Sequence, residues 1–561
     1  MRRGRHDERR RNRPRSRARR AALALAALIA ACSPDQPIGG TAPKGSSAEA
    51  GKPAMPQGAD PVDRDGPPSE WVADYTLLVY AANDDRDTAL VAAFDQDALE
   101  WQNGLGGSAL FRILVERDYA PFQAGPNGGA SRPSERYALY REERQSPEGS
   151  GGGEVQILGE TDTSSPDTLR DFLVYGVRRF PARHYWVVVT GHGDGWNGLA
   201  DDATTGTGKR LSIGGLRDAL AEASRVISKE IRTRPGLGGP GTSERVDVVQ
   251  FDVCRLGSVE VATALQDVAD YMIASQQTVP DAGHPYSALR YITQDHTGAS
   301  PRALVSSVVN DYVRAYVDGV STVARAYVGT SVTSVGLDLR RMPPLVSSLE
   351  GLVSAVRKER PRGFSCNEVA SLVSDACGRA NVKPSEELGR GRSRETPASA
   401  ASIDLVALLE SLADPARCTP GDEATPVVSE EVVNAARKAL AVIGRPPMQS
   451  EAEPEGIPLL YGGQYRKIGG FNGAGPFISE AHRVDPGTGE RLGGLSVLWG
   501  DPFELLYRDK GVSPLDTYRG LTFEAQTGWT QIMEACIAQA EACYNAEPDP
   551  TNPDADPCEG F

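Results

Sequence analysis

His184-Tyr185-Trp186-Val187-Val188-Val189-Thr190-Gly191-His192-Gly193-Asp194-Gly195-Trp196 and, further along, Val246-Asp247-Val248-Val249-Gln250-Phe251-Asp252-Val253-Cys254 are two strand-end signatures of the same kind. Each begins as the β-branched and aromatic run of a buried strand. Each then stops at a reactive side chain, an imidazole at His192 and a thiol at Cys254. Ligands and chemistry gather at the carboxyl ends of strands in an open parallel sheet. As neighbours, these two strands would bring imidazole and thiol together over one cleft, which is how a hydrolase with a cysteine nucleophile is built.

Outward from the pair, the pattern alternates. It predicts a strand ending at Asn83, a helix over 88–102, a strand over 111–115 and a helix over 166–180 with Ser164 or Ser165 as cap. A helix over 213–231 lies between the two signatures, and a helix over 259–268 and a strand over 271–275 follow them. Strands and helices alternating at these lengths indicate βαβ units: an α/β chain with a mostly parallel sheet flanked by helices. After Pro301 the spacing is mainly helical, over 303–317, 342–356, 404–412 and 429–443. A late strand over 495–499 returns to the sheet or to a satellite layer. Residues 120–135 and 146–154 read as Gly/Pro/Ser loops, and 383–398 as a charged loop. The expected organisation is a catalytic core over 71–340, a helical region with the late strand over 341–545, and an acidic tail over 546–561.

The His-Gly closing one apolar strand and the Phe-Asp-x-Cys closing the next resemble the clostripain-like cysteine peptidases, which share a caspase-like fold with caspases, gingipains and legumains. Residues 71–83 (WVADYTLLVYAAN) look like the family's first strand, 158–185 like the helix leading into the His strand, and 272–286 (MIASQQTVPDAGHPY) like the strand and specificity loop after the cysteine. Ser402-Ile403-Asp404-Leu405, Gly494-Leu495-Ser496-Val497 and Thr527-Gly528-Trp529 sit where later family segments are expected, so the likeness runs over about residues 71–530. It implies a caspase-like fold and hydrolysis of peptide bonds in protein or peptide substrates. It also implies that Asp252 contributes to a pocket for Arg or Lys before the cleaved bond.

The residues themselves support definite roles. Cys254 must ionise, and a thiol with a reference pKa near 8.5 is mostly protonated at neutral pH. His192 is placed to act as base and then to protonate the leaving amine, and Arg255 adds positive charge nearby. The bland alternative for Cys254 is a buried structural cysteine. Gly191, Gly193 and Gly195 free the backbone around the imidazole, and the N–H groups of Gly193 and Cys254 are candidates for an oxyanion hole, whose donors are typically worth about 3 kcal/mol each. Asp252 lies on the same strand face as Cys254. A carboxylate there can meet an arginine with two hydrogen bonds, or instead bond to backbone N–H groups. Ser275 and Asp281 are further pocket candidates from the loop that resembles the specificity loop. Val253, Arg255 and the Gly283-His284-Pro285-Tyr286 run, where Gly-Trp-x-Tyr is commoner, depart from the family pattern. A cation at 255 would repel a basic substrate side chain. Of the other histidines, His184 belongs at the wrong end of the sheet, His284 can line the cleft, and His296 and His482 suit the surface.

The N-terminus is a separate device. The first twenty residues hold eleven Arg against Asp7 and Glu8, followed by the apolar run 21–31. That run is too short to span a bilayer, which takes about 20 residues, and reads as an export signal over residues 1–31. Leu28-Ile29-Ala30-Ala31-Cys32 looks like a bacterial lipobox, which implies lipidation of Cys32 and membrane anchoring in the cell envelope. The alternative is an ordinary signal peptide with a chance cysteine. Residues 32–70, rich in Pro, Gly, Ser and Ala, form a tether. Losing residues 1–31 moves the formal net charge from −15 to −24. So acidic a chain repels nucleic acid and attracts basic substrates.

Apart from Cys32 and Cys254, the six cysteines 366, 377, 418, 536, 543 and 558 suggest disulfides in an exported chain, with fifteen pairings open and Cys366–Cys377 favoured by proximity. No CxxC pair points to zinc. Calcium, used by some relatives, would have only Asp201-Asp202 or the Asp554/Asp556/Glu559 tail, neither with EF-hand spacing. Solvated acidic loops and no cofactor are expected. Two other functions compete with an exported, lipid-anchored cysteine endopeptidase: a catalytically silent surface-binding lipoprotein, and a small-substrate amidase or acyltransferase using the same dyad.

Overall fold

The computed structural model describes residues 72–83, 88–104, 111–119, 133–139, 155–286 (save 203, 206–208, 235 and 240), 300–318, 332–373, 402–414, 428–445, 464–484, 493–499, 505–506 and 513–544. The export signal, the tether, Cys32, His296, Cys377, Cys418, Cys558 and the acidic tail lie outside the described residues.

In chain order the first half gives β1 (Ala73–Asn83), α1 (Thr88–Gly104), β2 (Phe111–Tyr119), β3 (Ser134–Leu139), β4 (Gln156–Gly159), α2 (Pro166–Arg179), β5 (Ala182–Thr190), β6 (Leu199–Asp202), β7 (Lys209–Leu211), α3 (Ile213–Thr233), β8 (Val246–Asp252), α4 (Val259–Leu265) and β9 (Ala269–Ala274). The second half adds α5 (Pro301–Asp318), β10 (Val332–Asp338), α6 (Met342–Glu359), α7 (Cys366–Val373), β11 (Ser402–Asp404), α8 (Leu405–Ala413), α9 (Glu430–Ile443), β12 (Gln464–Gly469), β13 (Phe477–Val484), β14 (Ser496–Leu498), α10 (Pro514–Arg519), α11 (Thr522–Thr527) and α12 (Glu534–Tyr544).

Ten strands form one sheet in the order β12-β13-β10-β9-β8-β5-β1-β2-β3-β4. The centre, β9-β8-β5-β1-β2, is parallel, and both flanks are antiparallel. Strands covered on both faces read as near-continuous apolar runs. Along β1, Leu78, Tyr80 and Ala82 point to one core, with α2, α3, α4 and α6 packed over it. The alternate residues Tyr75, Leu77, Val79 and Ala81 point to the other, under α1 and α5. The sheet is thus sandwiched between helices, as the sequence predicts.

The sequence reading misses part of the sheet. Tyr465–Ile468 and Ile478–Arg483 carry charged and polar residues and lack the long apolar run of a central strand, yet β12 and β13 extend the sheet antiparallel beyond β10. The helical C-terminal region therefore also contributes to the main sheet. The late strand pairs as β14 with β11 in a two-stranded satellite. Ser165 is the N-cap residue of α2, without a side-chain capping bond. The expected Cys366–Cys377 pairing gives way to Cys366–Cys536, whose Cα atoms are 4.5 Å apart. Residue 366 opens α7, which packs on α12, so closeness in space rather than in sequence decides the pair.

A buried carboxylate ties the satellite to the central sheet. Glu260, in the first turn of α4, accepts from the Leu498 N–H at 2.8 Å and the Tyr518 hydroxyl at 2.9 Å. Burial pushes its carboxyl up from 4.5 to about 6 against those bonds. Between those two values the folded chain holds the proton more tightly than the unfolded chain. The stability it contributes therefore falls as pH rises through that window and is flat above it, a loss of about 2 kcal/mol. Glu260→Gln keeps an acceptor oxygen and removes the charge. Its melting temperature should gain on the wild type between pH 4 and pH 8; an unchanged difference at both pH values refutes the assignment.

Candidate active site

The register of two strands builds the site. β5 and β8 pair in parallel with Thr190 opposite Asp252, so the residues two positions on, His192 and Cys254, leave the sheet side by side. Ala81 of β1 stands opposite Thr190 on the other side, which brings Asn83 to the same edge. His192, Cys254, Asp252, Asp281 and Asn83 line one open cleft, and Asp97 of α1 lines it as well. No Lys or Arg is among its described lining residues.

Cys254 is buried, 1% exposed, and the Val279 N–H points at its sulfur at 3.2 Å. The sulfur is disulfide-bonded in this structure. The turn after it is held from the strand β9 side: Arg255 N–H donates to Gln277 O at 3.0 Å and Gly257 N–H to Ser275 O at 2.7 Å. Arg255 adopts φ +65°, a left-handed backbone that costs a non-glycine residue energy. Ser275 therefore serves beneath the nucleophile turn. Its hydroxyl sits 3.0 Å from that of Thr333, and it is not among the cleft-lining residues.

Gly193 stacks directly on this turn. A Cβ there would lie 2.1 Å from Val253 Cγ1 and 3.1 Å from Cys254 O, so only glycine lets the two loops touch. The N–H groups next to the two expected oxyanion donors are occupied, Asp194 N–H by Gly198 O and Arg255 N–H by Gln277 O.

Asp252 is held by one oxygen only. Its Oδ2 accepts from His284 N–H at 3.0 Å and the Tyr286 hydroxyl at 2.9 Å, while Oδ1 has no hydrogen-bond partner among the described residues. One oxygen of this carboxylate is thus fixed by a backbone N–H and a tyrosine hydroxyl. Gly283, at φ +57°, makes the approach possible, since a Cβ there would be 2.6 Å from Oδ2.

Arg255 does not charge the nucleophile. Its guanidinium faces Asp194 at 3.5 Å, and Asp194 also binds Arg210 at 2.9 Å. Burial opposes the charge on Arg210, but Asp194 and Asp201 outweigh it and hold the guanidinium above its ordinary value. Arg255 is thus ion-paired and is not among the described residues that line the cleft. Asp201 is taken up by Arg210, and Asp202 is buried and accepts from Thr163, Thr204 and Thr205 N–H groups. Neither is the solvated acidic loop expected from the sequence. His184 pairs with Asp247 at the opposite end of the strands, as expected. His284 is buried, not cleft-lining: it stacks on Tyr312 with centroids 4.1 Å apart, and burial pushes its imidazole down despite Asp252. His482, expected at the surface, is 2% exposed beside Glu480, because β13 that carries it is inside the sheet.

His192 and Cys254 thus follow adjacent parallel strand ends and line one cleft with Asp97, Asp252 and Asp281, on a mostly parallel sheet flanked by helices. The model of the Clostripain family, Peptidase_C11, matches residues 79–387, more than half of the chain, which therefore belongs to this family of cysteine peptidases. Among solved structures, a secreted C11 cysteine protease from Bacteroides thetaiotaomicron in complex with an irreversible peptide inhibitor is 15% identical, covering 82% of this chain and 99% of its own, with a TM-score of 0.47. An inactive zymogen C11 protease from Parabacteroides distasonis is 16% identical, covers 82% and 99%, and scores 0.45. Comparison with curated proteins gives no match.

The contact at Gly193 yields a direct expectation. Gly193→Ala must push the His192 loop off the nucleophile turn, and a misplacement of about 1 Å costs on the order of 100-fold in rate. The measurement is kcat/KM beside the far-UV spectrum: a folded variant of wild-type activity would contradict the close approach.

Proposed function

We propose that this peptidase is an endopeptidase working through His192 and Cys254, with preference for Arg or Lys before the scissile bond. The observation that carries it is the cleft itself: nucleophile, imidazole and a carboxylate with an unpartnered oxygen line one depression. The Cys254 thiolate attacks the carbonyl carbon and the electron pair moves to oxygen, where the N–H groups of Gly193 and Cys254 receive it. The tetrahedral intermediate collapses, the C–N bond breaks, and the imidazolium of His192 gives its proton to the leaving amine. Water, deprotonated by His192, then hydrolyses the thioester and restores the thiol. The reacting form is the reduced cysteine, so assays contain a thiol reductant. Asp252 supplies the negative charge that a basic side chain pairs with. The acidic Asp97 and Asp281 in the same walls, and Arg255 neutralised by Asp194, support that preference.

Cys254→Ala should abolish cleavage of peptides in a folded protein, and His192→Ala should come close. With matched Arg, Ala and Asp substrates, wild type should favour Arg, and Asp252→Asn should lose about tenfold or more of that preference. Activity surviving in Cys254→Ala ends the dyad reading; a wild-type preference for Ala or Asp ends the pocket reading.

We also infer export and lipid anchoring at Cys32. The support is the basic and apolar leader with Leu28-Ile29-Ala30-Ala31-Cys32. Among the described residues no helix is long and apolar enough to cross a membrane, so the reading assigns retention to the lipid. Cys32→Ser should move the protein from the membrane fraction to the soluble one; persistence with membranes rules the anchor out.

A further inference from the structure

The geometry points to Asp97, on α1, as a further specificity-determining residue: a second wall of the cleft that pairs, together with Asp252, with the guanidinium of an arginine before the scissile bond. This rests on the peptidase reading above and adds to it a residue that neither the strand-end motifs nor the specificity loop contains.

Asp97 is 5% exposed, yet it lines the same cleft as His192, Asp252 and Cys254. Its Oδ1 has no hydrogen-bond partner among the described residues, and neither has Oδ1 of Asp252. A buried polar oxygen without a partner is costly and needs a reason. Here the two residues that carry them come from different elements, a helix and a strand end, and line one cleft. A guanidinium presents five donors along the edges of a plane and can serve carboxylates on two walls at once. An ammonium, being a point charge, serves them less well. The nearby cation is already committed: Arg117 binds Asp95 and the Val91 carbonyl and lies under the rings of Phe94 and Tyr119.

The groups facing Asp97 are Glu100 on its own helix, Arg117 on β2, Asp252 at the end of β8, His192 after β5, and Asp281 and Tyr286 from the loop after β9. Burial, and behind it Asp252 and Glu100, push the Asp97 carboxyl well above the ordinary carboxylate range, with Arg117 opposing. An arriving guanidinium favours the ionised form. Selectivity for Arg should therefore rise with pH as Asp97 loses its proton.

The test compares wild type with Asp97→Asn, which keeps size and removes the charge. The ratio of kcat/KM for an arginyl over an alanyl substrate cancels the titrations of the dyad. That ratio should fall about tenfold or more in Asp97→Asn, with arginyl over lysyl preference narrowing, and should climb less steeply with pH. Calorimetric binding of benzamidine, a small cation that needs no turnover, should weaken at least about fivefold. Wild type that cleaves no peptide but binds benzamidine through Asp97 removes the peptidase chemistry and supports the subsite. Equal benzamidine affinity in both proteins, or an arginyl ratio with the same size and pH slope, overturns the inference while leaving the peptidase reading intact.

Discussion

The pairing of β5 with β8 is the constraint on which the site depends. A parallel ladder fixes which residues stand opposite, and a slip of one residue would turn every side chain to the other face. With Thr190 set against Asp252, His192 and Cys254 emerge together, and on the face that α1 covers. The buried runs on both strands hold that register, because Val187, Val189, Val249 and Phe251 must reach one core while Trp186, Val188 and Val248 reach the other. The chemistry is thus positioned by the hydrophobic pattern of two strands.

The same face explains why the cleft is acidic without unfolding the protein. Buried carboxylates are costly unless their oxygens are paired. Asp252 meets this cost on one oxygen, through His284 N–H and Tyr286, and the close approach needs the glycine at 283. Tyr286 in turn packs edge-on against Trp101 of α1, so the helix that carries Asp97 is braced by the residue that holds Asp252. Asp97 and Asp252, each with one unpartnered oxygen among the described residues, line the same cleft. On the other side of the nucleophile, Asp194 collects Arg210 and Arg255, so the positive charges near the dyad are confined outside the cleft.

Much of this was legible in the sequence because it rests on local pattern. Apolar runs that end in His192 and Cys254 mark central strands, and the helices at 88, 166 and 213 begin where caps and spacing place them. Other features were not legible, for reasons that are physical. β12 and β13 lie at the sheet's flank and carry Arg466, Lys467, Glu480 and Arg483, so their pattern does not separate them from loops; the burial of His482 went with them. Asp97 sits in a helix whose spacing reads as ordinary amphipathic packing, and only the tertiary fold shows that the polar position faces the cleft. The Cys366–Cys536 pair and the Arg255–Asp194 pair join segments that no sequence rule connects.

The C-terminal segments act as a brace for the catalytic loops. Gly257 O, one turn past the nucleophile, accepts from Ser496 N–H at 2.8 Å and from the Ser496 hydroxyl at 3.2 Å. Gln276, at the start of the loop that holds Cys254 from above, reaches Asp404 at 2.7 Å and receives the Gly494 N–H at 3.1 Å. Tyr518 touches both halves of the site: its hydroxyl binds Glu260 on the nucleophile helix, and its ring meets Trp196 of the His192 loop edge-on at 5.0 Å. Buried hydrogen bonds of this kind cost about 1–3 kcal/mol when one partner is lost. Because they converge from residues 404, 494, 496 and 518 on the segments that flank Cys254, the region after the family match is no appendage. It supplies the rigidity that a strained turn such as the one at Arg255 requires, and without it the register of β5 and β8 would set the direction of the two catalytic side chains but not their final position.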